Sequence, residues 1–197
     1  MRQAELFPGL TPQPRLPAGF AYQPELLTPQ QEAELIAWVQ RLPLREAQYK
    51  QYTAKRRIIS YGASYDFESN ELLPAGQIPE FLLPLRERVC EWARIAPAEV
   101  EHALVAEYAA GTQLGWHRDV PQFGQIVGVS LASSCRMRLR PYPPPAGRSR
   151  DAIALTLEPR SVYAMRGEAR WKWQHAISPT KQLRYSITFR TIVRSGD

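Results

Sequence analysis

A histidine and an aspartate stand two residues apart in His117-Arg118-Asp119, and a second histidine closes the later segment Trp171-Lys172-Trp173-Gln174-His175. In an extended segment, residues two apart point to the same side with Cα atoms about 6–7 Å apart, close enough to share one metal ion. Two imidazoles and one carboxylate make a facial triad that leaves three metal positions open, the ligand set of non-haem Fe(II) oxygenases. Read singly, His117 also suits a surface loop and His175 a core position. The three ligands alone would also serve a zinc hydrolase.

A second constellation narrows the choice. Arg184-Tyr185-Ser186-Ile187-Thr188-Phe189-Arg190 alternates strictly, with Arg184, Ser186, Thr188 and Arg190 on one face and Tyr185, Ile187 and Phe189 on the other. A polar face of this kind is often solvated. If it faces inward, its two guanidiniums need partners, because a buried unpaired charge costs several kcal/mol. A dicarboxylate would satisfy both, each arginine gripping a carboxylate bidentately and the hydroxyls adding hydrogen bonds. A zinc hydrolase leaves this strand unexplained.

These groups must be held by a scaffold. Thr28 can cap a helix with Pro29 at its first position and Gln31 completing a capping box; Leu35, Ile36, Val39 and Leu42 carry the helical spacing to Pro43. A second helix is predicted over 80–94, with Pro84 in its first turn or kinking it. From about residue 100 the period becomes two, over 102–109, 126–132, 135–140, 153–158, 161–166, 170–176 and 183–193, which predicts an antiparallel sandwich or barrel. Residues 1–27 read as an extended lead-in.

The chain has 197 residues, 44% apolar and 22% charged, which suits one domain. No apolar run reaches the ~20 residues of a bilayer span, and the first 30 residues lack the apolar core of a signal peptide, so a cytoplasmic monomer without membrane contact is expected. Cys90 and Cys135 are expected to be free thiols. The net charge of +6 comes from 21 Arg and 4 Lys against 19 acidic residues, which permits a nucleic-acid partner without requiring one. Lys50, Lys55, Arg56 and Arg57, interleaved with Tyr49, Tyr52, Tyr61 and Tyr65, form the densest basic-aromatic stretch; it suits phosphate contact and base stacking, or a solvated edge. Arg136, Arg138 and Arg140 share a strand face that is either merely exposed or a nucleic-acid contact. His102 is expected to be structural.

In order along the chain, these pieces resemble the AlkB-like Fe(II)/2-oxoglutarate dioxygenases. Arg57 with Tyr61-Gly62 is similar to that family's R-x-x-x-Y-G. Glu107-Tyr108, Gly111 and His117-Arg118-Asp119 are similar to N-x-Y-x-x-G…H-x-D. Pro159-Arg160-Ser161 with Gly167…His175-Ala176-Ile177 is similar to P-R-S…G…H-G-I, and Arg184 to Arg190 to R-x-N-x-T-x-R. The resemblance covers about residues 55–193.

It implies a mainly β fold with supporting helices. The core would be a double-stranded β-helix (jelly roll, cupin-like) over about 100–193, with N-terminal helices and a nucleotide-recognition lid at about 48–68, all in one domain over 28–197. It implies iron on His117, Asp119 and His175 as the catalytic centre. 2-Oxoglutarate would have Tyr108 and Arg184 at its distal carboxylate and Arg190 nearer the metal, with Ser186 and Thr188 adding hydroxyls, and O2 as co-substrate. The implied reaction is oxidative demethylation of N-alkylated bases in DNA or RNA, releasing formaldehyde, succinate and CO2, with Lys55, Arg56, Arg57, Tyr61, Arg118 and Trp173 as substrate contacts. Three departures qualify it. Ala106 and Ser186 stand where the family has Asn, costing about 0.5–1.5 kcal/mol per lost neutral hydrogen bond. Val120 and Pro121 stand where nucleic-acid repair members carry an acidic residue. That favours a tRNA, protein or small-molecule substrate as the alternative. A non-catalytic jelly-roll binding module is the minor alternative.

Overall fold

Thr28 starts the first helix as its sequence predicts. Its Oγ1 accepts a hydrogen bond from the Gln31 N–H at 3.2 Å, and its own N–H donates to Gln31 Oε1 at 3.0 Å. The computed structural model describes residues 16–49, 52–66, 69, 71–144 and 152–193. In chain order its elements are β1 (Phe20–Gln23), α1 (Pro29–Val39), β2 (Arg45–Tyr49), β3 (Tyr52–Tyr61), β4 (Ala63–Asp66), β5 (Glu71–Pro74), α2 (Leu83–Ala93) and β6 (Val100–Tyr108). There follow β7 (Leu114–His117), β8 (Phe123–Leu131), β9 (Cys135–Pro141), β10 (Ile153–Leu157), β11 (Val162–Met165), α3 (Gly167–Trp171), β12 (Trp173–Ile177) and β13 (Arg184–Ile192).

Seven strands form one sheet in the order β1-β11-β8-β13-β6-β3-β2, and four form another, β10-β9-β12-β7; β4 and β5 make a separate hairpin. Neighbours pair antiparallel throughout. This is the expected mainly β, jelly-roll-like fold. The outer face of the large sheet is apolar and carries the helices: Tyr185, Ile187 and Phe189 share a core with Leu35 and Val39 of α1 and Leu85 and Val89 of α2. Each such burial contributes roughly 1.5–3 kcal/mol. A second cluster, including Met137, Leu139, Leu157, Met165 and Ile177, joins strands of both sheets.

The helical period ends earlier than Pro43: α1 stops at Val39. Over 80–94, a 3-10 turn at Glu80–Leu82 precedes α2, which holds Pro84 in its first turn and closes at Arg94 in the left-handed region (φ 56°). The lead-in is structured from Phe20, because β1 pairs with β11 and extends the large sheet; residues 1–15 lie outside the described ones. The strand predicted over 170–176 is corrected. Residues 167–171 are helical and β12 starts at Trp173, so Trp171 does not share a strand with His175. Period-two reading failed there because one short helical turn hides inside an aromatic run. Around the expected lid, β3 joins the large sheet through β6, and Gly62 sits at φ +78° where a Cβ would meet the Glu101 carbonyl. Lys50 lies outside the described residues. Among the described residues no helix is long and apolar enough to cross a membrane, and both cysteines are buried free thiols.

Candidate active site

Strand parity builds the site. On β13 the even-numbered residues Arg184, Ser186, Thr188 and Arg190 face a cavity of about 750 Å³ between the sheets. On β6 the same is true of His102, Leu104, Ala106 and Tyr108, and on β3 of Arg56, Ile58 and Ser60. The β13–β6 register sets Arg184 opposite Tyr108 and Arg190 opposite His102. Gly128 on β8 leaves the space that the Tyr163 ring fills, where a Cβ would collide with it, and Tyr163 lines the cavity too.

Two polar groupings result. In the first, the Arg184 guanidinium lies over the Tyr108 ring at 5.1 Å and its Nε donates to Ser130 Oγ at 2.9 Å. Arg56 Nη1 donates to the Tyr108 hydroxyl at 3.3 Å. Arg184 is only 1% exposed. In the second, Arg190 donates through Nη2 to Asp119 Oδ1 and through Nη1 to His102 Nδ1, both at 3.3 Å. Its Nε is buried without a hydrogen-bond partner among the described residues.

His117 and His175 sit on adjacent strands in direct register, with ring centroids 4.1 Å apart. His117 Nδ1 lies 2.8 Å from the Gly115 carbonyl. A carbonyl only accepts, so Nδ1 carries the proton and Nε2 keeps its lone pair for a ligand. Burial, reinforced by His117, pushes His175 down to about 3, and burial lowers His117 as well. Burial alone would raise Asp119, but the opposing charge of Arg190, with that of Arg170 behind it, holds its carboxyl well below the usual carboxylate range. The set is therefore two neutral imidazoles and an ionised carboxylate, the donor chemistry that divalent iron takes. Among the described residues, no three His, Cys, Asp or Glu side chains are drawn into a finished metal site. Here Asp119 is turned to Arg190.

The residues expected from the sequence divide accordingly. His117, Asp119, His175, Tyr108, Arg184, Ser186, Thr188, Arg190, Arg56 and Arg118 all line the one cavity. Lys55, Arg57, Tyr61 and Trp173 do not. Arg57 has the opposite parity to Arg56 and pairs with Glu107 at 2.8 Å on the other face. Tyr61 packs against the helix-side core, and Lys55 is exposed. Trp173 donates from Nε1 to Glu168 at 3.2 Å and packs on the second cluster.

Two contributors escaped the sequence. His102 lines the cavity and holds Arg190; burial and the Arg190 charge push it down to about 2. Arg170, 3% exposed, donates to the carbonyls of Val120, Phe123 and Gly124 at 2.6–3.0 Å, pinning the loop that follows Asp119. Cavity parity with Arg190 could have flagged His102; nothing in the sequence points to Arg170.

The profile of the 2OG-Fe(II) oxygenase superfamily matches residues 19–190. The "Alkylated DNA repair protein ALKBH8 homolog" of Arabidopsis thaliana is 29% identical over 180 residues, 81% of this chain and 50% of that protein. The "tRNA (carboxymethyluridine(34)-5-O)-methyltransferase ALKBH8" of Mus musculus is 26% identical over 84% of this chain and 25% of its own length. The chain thus spans about half of the first relative and a quarter of the second. Among solved structures, that of OsALKBH1 superposes with a TM-score of 0.68 at 18% identity, covering 91% of this chain and all of that one. A Pseudomonas putida prolyl-4-hydroxylase gives 0.59 at 14% identity, covering 90% and 94%. The chain belongs to the 2OG-Fe(II) oxygenase superfamily and is a dioxygenase that uses Fe(II), 2-oxoglutarate and O2.

Proposed function

We propose that the enzyme oxidises an alkylated base in a nucleic-acid strand, with RNA as its substrate class, removing N-alkyl groups as the aldehyde. His117, Asp119 and His175 would hold the iron, Arg184 with Tyr108 the distal carboxylate of 2-oxoglutarate, and Ser186, Thr188 and Arg190 its surroundings. When bound, iron with 2-oxoglutarate and O2 supplies the oxidation of a substrate C–H bond, with succinate and CO2 as co-products. The protein's own contribution is to orient the dicarboxylate, keep both imidazoles neutral and enclose the reacting groups away from water.

The observation that carries the substrate class is Arg118. Standing between two candidate ligands, it is exposed at the cavity lining and lies over the Tyr142 ring at 3.9 Å. Its Nη1 donates to the Trp171 carbonyl at 3.0 Å, which fixes the group, and its remaining N–H donors can meet a phosphate as the neighbouring base enters the cavity. Two relatives are named for tRNA, which favours RNA, and one for alkylated DNA. Val120, which lines the cavity and offers no side-chain hydrogen bond, favours a second reading: the same chemistry on a base without an exocyclic amine, or on a non-nucleic substrate.

A mass-spectrometric screen of methylated single- and double-stranded RNA and DNA oligonucleotides, with iron, ascorbate and 2-oxoglutarate, tests this reading. Loss of methyl mass from single-stranded RNA is expected. Succinate formation with every oligonucleotide untouched would refute it.

A further inference from the structure

The outer face of the four-stranded sheet is basic. Arg136, Arg138 and Arg140 alternate on β9 with Met137 and Leu139, which point into the core. The register puts Thr156 and Ala154 of β10 beside Arg136 and Arg138, and Ala176 and Gln174 of β12 beside Arg138 and Arg140. None of these neighbours is a carboxylate. Among the described residues no ion pair involves any of the three arginines. Like charges repeated every two residues, about 7 Å apart along one strand, repel one another. A bound polyanion removes that cost.

The face also has an aromatic side. Trp116 of β7 carries two of the arginines, with Arg138 4.9 Å and Arg140 4.3 Å from its ring centroid. Stacking uses the flat faces of the guanidiniums and leaves their N–H edges for acceptors. Arg140 Nε is fixed by Gln174 Oε1 at 2.9 Å, whereas Arg138 Nε is buried with no hydrogen-bond partner among the described residues. Tyr142, 43% exposed under Arg118, follows directly on the end of β9. Trp116 and Arg118 also line the cavity, so the basic face runs directly into its mouth.

Resting on the nucleic-acid reading above, we infer that this sheet face is the docking platform for an unpaired RNA strand, its phosphates on Arg136, Arg138 and Arg140 and a base on Tyr142. The strand is unpaired because an exposed ring stacks only on a base whose face is free. It is a nucleic acid because the face alternates cation edges with aromatic surface, which matches a phosphate backbone with bases attached.

Fluorescence anisotropy of a labelled single-stranded RNA oligonucleotide with the whole chain tests this. R136Q/R138Q/R140Q is expected to bind at least tenfold more weakly, with the slope of log affinity against log salt reduced by about 2. None of the three arginines lines the cavity, so succinate formation without substrate should persist, which also reports folding. Should the triple variant fail to fold, the exposed Arg136→Gln alone is expected to weaken binding about fourfold near physiological salt. Unchanged affinity in a variant that still forms succinate overturns the platform while leaving the substrate reading intact. Tighter binding of a duplex, or of single-stranded DNA of the same sequence, overturns the unpaired-RNA assignment. If the wild-type chain neither binds nor oxidises any methylated oligonucleotide, the substrate reading fails and the platform with it.

Discussion

Arg190 Nη2 lies 3.3 Å from Asp119 Oδ1, so the candidate iron carboxylate is already ion-paired to the dicarboxylate strand. Both side chains are nearly enclosed, at 8% and 12% exposure. The pair links the two halves of the site. Arg190 keeps Asp119 ionised, and Asp119 neutralises an arginine that would otherwise be buried with only His102 as a partner.

Arg190→Gln is therefore expected to raise the Asp119 carboxyl towards its ordinary range. Protons then compete with metal at higher pH, so the acid limb of Mn(II) or Co(II) binding should move upward relative to wild type. Titrating metal affinity from pH 6 down to pH 3 checks the direction; an unmoved limb contradicts it.

The buried histidines give the metal-free protein a defined acid response. With the folded values of His102 near 2 and His175 near 3, both stay neutral in the fold while the unfolded chain takes up protons at about 6.5. The unfolded state binds more protons over that interval, so stability is present above about pH 6.5 and falls as pH drops, by up to about 1.4 kcal/mol per pH unit for each histidine. His102→Phe should remove one histidine's share of that slope, read from urea midpoints between pH 6.5 and pH 4.5. An unchanged slope would show that His102 protonates freely in the folded state.

Arg184 is held by Ser130 against Tyr108. Arg184→Gln removes a charge-assisted contact of about 1.5–3 kcal/mol, so the KM for 2-oxoglutarate should rise at least about tenfold. Ser130→Ala removes only the neutral acceptor that orients Nε and should raise KM by less. The reverse ranking in a KM series would place the distal carboxylate elsewhere.

Arg170 reaches three carbonyls of the loop after Asp119, a role the flat fork of guanidinium donors suits and an ammonium does not. Arg170→Lys is expected to lower both the urea midpoint and metal affinity, because the loop that orients Asp119 loosens. Loss of stability with metal affinity intact would limit Arg170 to a structural role.

The contrast between β13 and Arg170 shows what the sequence could reveal. Strict alternation from Arg184 to Arg190, beside an apolar opposite face, made the cavity side of β13 legible, since parity is a local property. His117-Arg118-Asp119 was legible as a ligand spacing rather than by parity, since β7 ends at His117 and both Arg118 and Asp119 stand in the loop that follows and line the cavity. Which of Arg56 and Arg57 faces inward depends on the β3–β6 register, which no local pattern fixes, and it is Arg56 that reaches Tyr108. Arg170 acts across 46–50 residues of chain on backbone carbonyls, which leave no mark in side-chain spacing. The short helix around it was hidden by neighbouring tryptophans that read as strand.

In the proposed site His117, Asp119 and His175 would hold iron in the cavity where Arg184 and Arg190 would receive the keto acid. The most direct test is the charge-transfer absorption that appears when 2-oxoglutarate chelates protein-bound ferrous iron, recorded anaerobically by titration. The wild-type chain should develop the band with one iron per chain. The band should vanish in H117A/H175A, and Arg184→Gln should need more 2-oxoglutarate to reach it. A band of wild-type intensity in H117A/H175A would contradict the account.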